Sequence, residues 1–230
     1  MPLSDRALIV ASVLLICVVL VGLVVRRRAA SCWSFVLYLS AVALADALVA
    51  AWPARFWRRD FWILKDSVHN ALKLAIALEL MVRIFQPFPS AYASARRAVI
   101  VVVVGLGVLI GVSLSHGTDY AAVVGRLHPH VNDGTVWLLV ALGGYCVWYH
   151  LPLDSLHKAI LIGLVPFLLV YSVVQRAVAG LGSERGDVLN TTAPIAYLVL
   201  LSYWAYAVWR QPAGSDSGTR VTQMLAERRG

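Results

Sequence analysis

Seven long apolar runs separated by short polar stretches dominate this chain: Ala7–Val25, Cys32–Trp52, Phe61–Phe85, Ala98–Ser115, Val136–Tyr149, Lys158–Gly180 and Leu189–Trp209. About 20 predominantly apolar residues, coiled as an α-helix, cross the hydrocarbon core of a bilayer. The fifth run is the shortest and approaches that length only if it begins near Asn132, giving a span of 132–149. The third is the least apolar. The pattern predicts an all-α, polytopic seven-transmembrane-helix bundle over residues 1–210, followed by a polar tail over 211–230. The loops are read from Pro53 with Arg55–Asp60, Pro87 with Pro89, Pro152, and Gly180–Asp187. Gly117–Gly134 is read as the longest connection. Pro166 and Pro194 fall inside the sixth and seventh spans, where proline removes a backbone donor and kinks a helix.

Composition agrees with the pattern. Charged residues make up 14% of the chain, well below the roughly 25% of a soluble domain, and the spans leave no room for a soluble catalytic domain. The first run is longer than the ~7–15-residue core of a secretory signal, and Arg26-Arg27-Arg28 stands where a small-residue cleavage site would be. It is read as a retained span. Lys and Arg residues in short loops favour the cytoplasmic side. With the N-terminus outside, Arg26–Arg28, Arg83, Arg96, Arg97, Lys158 and the tail arginines Arg210, Arg220, Arg228 and Arg229 lie inside. Arg6, Arg55, Arg58, Arg59, Arg126, Arg176 and Arg185 lie outside, the Arg55–Arg59 cluster pulling the other way. The expectation is a multi-pass protein of the bacterial cytoplasmic membrane, N-out and C-in, the bacterial origin resting on the Arg-over-Lys and Ala/Val usage. The net charge of +8 is assigned to topology and anionic headgroups rather than nucleic acid. After the Gly/Ser-rich stretch, Thr219–Arg229 places Val221, Met224 and Leu225 on one helical face and is read either as a short amphipathic helix on the membrane surface or, equally, as a disordered tail.

The third run carries the chemistry. Ionisable side chains inside a bilayer are costly and mark bundle interiors, ligand sites or proton routes. Lys65, Asp66, His69, Asn70 and Lys73 fall on one broad helical face, with Glu79 and Arg83 at its edge. Asp46 lies roughly 10 Å below the outer end of the second span, His69 about 12 Å and Lys73 about 18 Å below the outer start of the third. Asp46 is therefore expected to pair with His69 or Lys73, and Gln175, Arg176, Asn190, Thr191 and Thr192 approach from the same side. The cluster reads either as a pocket for an anionic or polar ligand or as a buried ionic brace. Glu79 and Arg83 have the i,i+4 spacing of a local ion pair.

Other chemistries find less support. Cys17, Cys32 and Cys146 have no metal-type spacing. His116, His128 and His130 are the weak metal candidates, with His150, Asp154 and His157 grouped at the other end, and His69 is the one histidine clearly inside a span for haem. No cofactor is expected. The seventh span lacks the lysine of a retinal protein and the histidines of a ceramidase-type zinc hydrolase, and no nucleophile motif is present, so the reading is non-enzymatic. Gly105, Gly107 and Gly111 give the fourth span a small-residue face, read either as a surface for close helix approach or a homodimer or as part of a glycine-tolerant lipid-facing helix.

The segment Phe61-Trp62 … Glu79-Leu80-Met81-Val82-Arg83-Ile84-Phe85-Gln86-Pro87-Phe88-Pro89 resembles one found in an uncharacterised family of small seven-helix membrane proteins of soil bacteria. The resemblance covers the third span and its exit loop. It implies a bacterial seven-helix membrane protein and lends no function. The chain departs from the family pattern at Lys65-Asp66, where an acidic residue is usual. Together these features lead to three functional expectations: a sensor or partner-coupled membrane module with a polar outer pocket, an accessory subunit of a larger membrane complex, or a proton- or solute-transporting protein.

Overall fold

The structure is a computed structural model that describes residues 3–115, 120–151, 153–181 and 186–210. Among these residues it is helical throughout, with no strand. The elements are α1 (Leu3–Val25), a 3₁₀ turn (Ala29–Ser31), α2 (Trp33–Ala51), the single-turn α3 (Pro53–Phe56), α4 (Arg59–Phe85), α5 (Pro89–Ser115), α6 (Tyr120–Trp148), α7 (Ser155–Leu181) and α8 (Gly186–Arg210). The tail from 211 onward, with its amphipathic pattern, lies outside the described residues.

Five of these helices are long and apolar enough to cross a membrane: α1 over Arg6–Val25, α2 over Trp33–Ala51, α5 over Pro89–Val112, α7 over Ser155–Val174 and α8 over Thr192–Arg210. The two long helices that fall short are α4 and α6, the two least certain spans in the hydropathy pattern. The two pack against each other, and each carries an ion-paired carboxylate or ammonium, Lys65 of α4 with Asp46 and Asp133 of α6 with Arg176.

Neighbour contacts close a ring in the order α1, α2, α4, α6, α7, α8 and back to α1, while α5 lies outside it against α4 and, more lightly, α6. The ring is filled by Phe35, Leu39, Ile76, Leu80, Leu139, Leu164, Leu168, Leu201 and Trp204, all fully buried. Trp204 anchors this layer. Its ring meets Phe35 edge-on at 4.8 Å, and its indole N–H donates to the Ala159 carbonyl at 3.2 Å. Edge-to-face pairs of this kind add to plain packing.

Two glycines set the tightest crossings. A Cβ on Gly163 would lie 2.7 Å from Leu200 Cδ1 and Trp204 Nε1, and one on Gly22 would lie 2.7 Å from Val208 Cγ1. Both bring a neighbour against α8. Gly105, Gly107 and Gly111 have open space around the corresponding position. Of the two readings of this face, close approach within the bundle does not occur and an outward-facing, glycine-tolerant helix fits, because α5 turns that face away from the ring.

A second correction concerns residues 117–134. The stretch read as the longest connection is mostly the first half of α6, which begins at Tyr120 and runs through Pro129. Asn132 and Asp133 are therefore helical and not loop residues. Asn132 Nδ2 donates to Ser172 Oγ at 2.7 Å, and Arg176 pairs with Asp133, so they join α6 to α7.

The end of the bundle opposite the α2–α4 turn is held by a polar network. α1 stops in a reversal with Arg27 in the left-handed region (φ 54°), closed by Arg27 N–H to Val24 O and Arg28 N–H to Leu23 O at 2.9 and 2.8 Å. That pairing satisfies carbonyls left open at a helix C-terminus. It also turns the Arg28 side chain inward, where Nη1 donates to Ser155 Oγ at 3.1 Å.

Candidate functional site

Between the apolar layer and the α2–α4 turn lies a cavity of about 700 Å³. α1 lends Leu8, Ile9 and Ser12; α2 lends Tyr38, Val42 and Asp46; α4 lends Trp62, Lys65, Asp66, His69, Asn70 and Lys73. Trp57 comes from the turn, Phe167 and Tyr171 from α7, and Ala193, Pro194 and Tyr197 from α8. The spacings explain how straight helices aim so many groups at one volume. Tyr38, Val42 and Asp46 are four apart, as are Lys65, His69 and Lys73, so each set lies along one helical face.

The contact pair across the cavity is Asp46 with Lys65, Oδ1 to Nζ 2.6 Å. This corrects the expected pairing of Asp46 with His69 or Lys73. Asp46 precedes the end of α2 by five residues and Lys65 follows the start of α4 by six, so both lie about 8–9 Å from the turn. Lys73 is more than two turns deeper. Lys65 Nζ also sits 4.3 Å from the centre of the Trp62 ring, a cation–π contact that helps offset burial.

Deeper in, Lys73 Nζ lies over the Tyr171 ring at 5.0 Å, and His69 meets Tyr38 edge-on at 6.1 Å. His69 Nε2 is buried and has no hydrogen-bond partner among the described residues, while the buried Tyr197 hydroxyl has the Tyr38 hydroxyl as its neighbour, out of good hydrogen-bond geometry. The hydroxyls of Tyr38 and Tyr197 are electrostatic neighbours. Asn70 and Lys73 are themselves buried.

Not every residue grouped by sequence belongs here. Arg176 is exposed and pairs with Asp133 on α6 instead. The side chain of Asn190, like those of Gln175 and Thr191, lies outside the described residues. Glu79 and Arg83 form the expected pair, at 2.9 Å, and Glu79 has a further role that the spacing did not reveal. Its carboxylate accepts the backbone N–H groups of Ser34 (2.8 Å) and Trp33 (3.2 Å) and the Cys32 thiol (3.6 Å). It thereby caps the N-terminus of α2, where carboxylates are favoured by both the open donors and the helix dipole.

Among the described residues no group of three metal-ligating side chains converges. His116 lies outside the described residues, as does the side chain of His128, while His130 is exposed on α6. At the opposite end His157 Nε2 bonds the Ser31 carbonyl at 2.9 Å and Asp154 accepts the Leu156 N–H at 3.3 Å, so both hold the start of α7. His150 is exposed in a left-handed turn.

The aromatic lining was not singled out from sequence. Tyr38 shares the face of Asp46 at twice the four-residue spacing, and Phe167 with Tyr171 repeats it, so helical register from a known charge was the available signal. Comparison with family models, with curated proteins and with solved structures finds no match to this chain.

Proposed function

We propose that the chain is a seven-helix protein of the bacterial cytoplasmic membrane, N-terminus outside and C-terminus cytoplasmic, whose cavity binds a small ligand. In this reading it acts without catalysis, as a sensor or a module coupled to a partner protein. The resemblance of the third span to small bacterial seven-helix proteins points the same way.

The observation that carries the reading is the open volume. A brace between α2 and α4 needs only the Asp46–Lys65 pair and packing around it. Instead, five long helices and a turn surround about 700 Å³, within the roughly 300–1,000 Å³ of ligand sites and with their usual mixture of apolar walls and a few convergent polar groups. Pro194 on α8 lines the same cavity, and its interruption of the backbone ladder gives α8 a point of bending beside the ligand. A signal would pass along α8 towards the cytoplasmic end.

The accessory-subunit reading is favoured by α5, whose Val101, Val103, Val104 and Val108 are exposed and whose glycine face is open. A transport route from Asp46 to Glu79 has less support. Ile76, Ala77 and Leu80 are fully buried between the cavity and Glu79, and Glu79 is committed to the α2 cap.

Filling the cavity tests the proposal. Ala193→Trp should fold and melt as the wild type does, while losing every thermal shift that a metabolite library induces in the wild-type protein. Shifts that survive unchanged in Ala193→Trp would place binding elsewhere, and a wild type that responds to no member of the library would remove the reading.

A further inference from the structure

The cavity holds two buried ammonium groups, and only one of them has a contact counter-ion among the described residues. Lys65 is matched by Asp46 at 2.6 Å. Lys73, only 7% exposed, has the Tyr171 ring beside it and no carboxylate within contact distance. Asp66 attracts it from seven residues earlier on α4, about 10 Å along the helix axis. One turn above Lys73, His69 Nε2 is buried and without a hydrogen-bond partner among the described residues, and on α8 the buried Tyr197 hydroxyl has only the Tyr38 hydroxyl beside it, out of good hydrogen-bond geometry. All three residues line the same space.

Buried polar atoms are normally satisfied, and a cation taken out of water needs a partner more than a neutral donor does. Lys73 donates only. Tyr197 can donate, and neutral His69 donates from Nε2 in one of its two tautomers. An acceptor with negative charge would satisfy all three together. The charges limit that acceptor: Asp46 is taken by Lys65 and Asp66 only attracts Lys73 without contact, so a monoanion supplies the one missing contact, whereas a phosphate dianion would add more negative charge than Lys73 carries. Around these groups Val42, Phe167 and Pro194 supply apolar wall.

Resting on the reading of the cavity as a ligand site, we propose that its ligand is an amphipathic monocarboxylic acid. The carboxylate sits on Lys73 Nζ, the Tyr197 hydroxyl and His69 Nε2, and the apolar body lies along Phe167 and Pro194. A membrane-borne fatty acid and a water-borne aryl acid share this chemistry.

The test uses the full chain in phosphatidylcholine nanodiscs and three matched probes: 1-naphthylacetate, 1-naphthylacetamide and 1-naphthylmethylamine. The acid should bind about tenfold more tightly than the amide, the gain expected of one charge-assisted contact. Lys73→Met should bring the acid down to the amide's affinity and leave the amide unchanged. Tyr197→Phe, which keeps the shape, should weaken the acid by about threefold and spare the amide, as loss of one neutral hydrogen bond does. If Lys73→Met does not fold, the acid-to-amide ratio of the wild type and the Tyr197→Phe result decide. Displacement of the bound acid by hexadecanoate added to the bilayer supports the seat and assigns it to a lipid-borne acid. Binding of the naphthyl acid without such displacement supports it as a water-borne one. An amide that binds as tightly as the acid, a preference for the amine, or a preference for the acid that survives Lys73→Met would overturn the proposal while leaving a ligand cavity in place. Failure of all three probes to bind would overturn it too; the library response of the wild type then separately decides whether the cavity binds ligands at all.

Discussion

Asp46 and Lys65 keep side-chain exposures of only 10% and 11%, so each depends on the other. Removing one partner of a buried pair leaves an uncompensated charge and costs about 3–5 kcal/mol, whereas replacing both is often far milder. Asp46→Asn and Lys65→Met should each lower the melting temperature strongly, and the double variant should recover a large part of the loss. Additive losses would show that the two groups are not coupled. Which lysine takes Asp46 was not legible in the sequence, because counting turns from uncertain span ends blurs depth by about one turn. The face shared by Lys65, His69 and Lys73 was legible, since helical spacing alone defines it. The role of Glu79 shows the limit from the other side: its pair with Arg83 follows from i,i+4 spacing, while its cap on α2 brings together residues 45 positions apart and needs the tertiary structure.

At the scale of elements, glycine position separates packing from tolerance. Gly163 and Gly107 are equally ordinary glycines in apolar helices, yet only the first has a neighbour where a side chain would go. Gly163→Leu should destabilise the fold by at least the ~1–3 kcal/mol typical of overpacking, seen as a clear drop in melting temperature. Gly107→Leu should leave the monomer's melting temperature unchanged, and a comparable drop there would contradict the peripheral placement of α5. Hydropathy exposed five of the long helices because their apolar runs are long, whereas α4 and α6 are more polar and were read from shorter or interrupted runs. It could not show which glycines lie at crossings, since Gly-x-x-x-Gly is a sequence pattern and proximity to α8 is not. It also misplaced the start of α6. Asn132, Asp133 and Pro129 read as loop chemistry, but α6 is continuous there, and on α7 the half-buried Ser172 and the exposed Arg176 give the polar pair its partners.

For the whole molecule, the ring of six helices leaves polar groups at one end around the cavity and at the other end around Glu79, Arg28 and His157, with the Trp204 layer between. That division is a property of the assembled bundle. The sequence supplied the charged face of α4 and the expectation of a polar outer side, while the walls from α1, α7 and α8 came only with assembly. In the proposed reading this cavity is a water-accessible ligand site on the outer side of a membrane bundle. The most direct measurement is labelling of Ala193→Cys in intact cells by a membrane-impermeant thiol reagent, in a background where Cys17, Cys32 and Cys146 are replaced by serine. Leu37→Cys, at an exposed apolar position of α2, serves as the bilayer-facing control. The Ala193→Cys variant should be labelled from outside, the Leu37→Cys variant should not, and 1-naphthylacetate should protect the thiol introduced in α8. Labelling of the Ala193→Cys variant only after permeabilisation, or none in either condition, would contradict that reading.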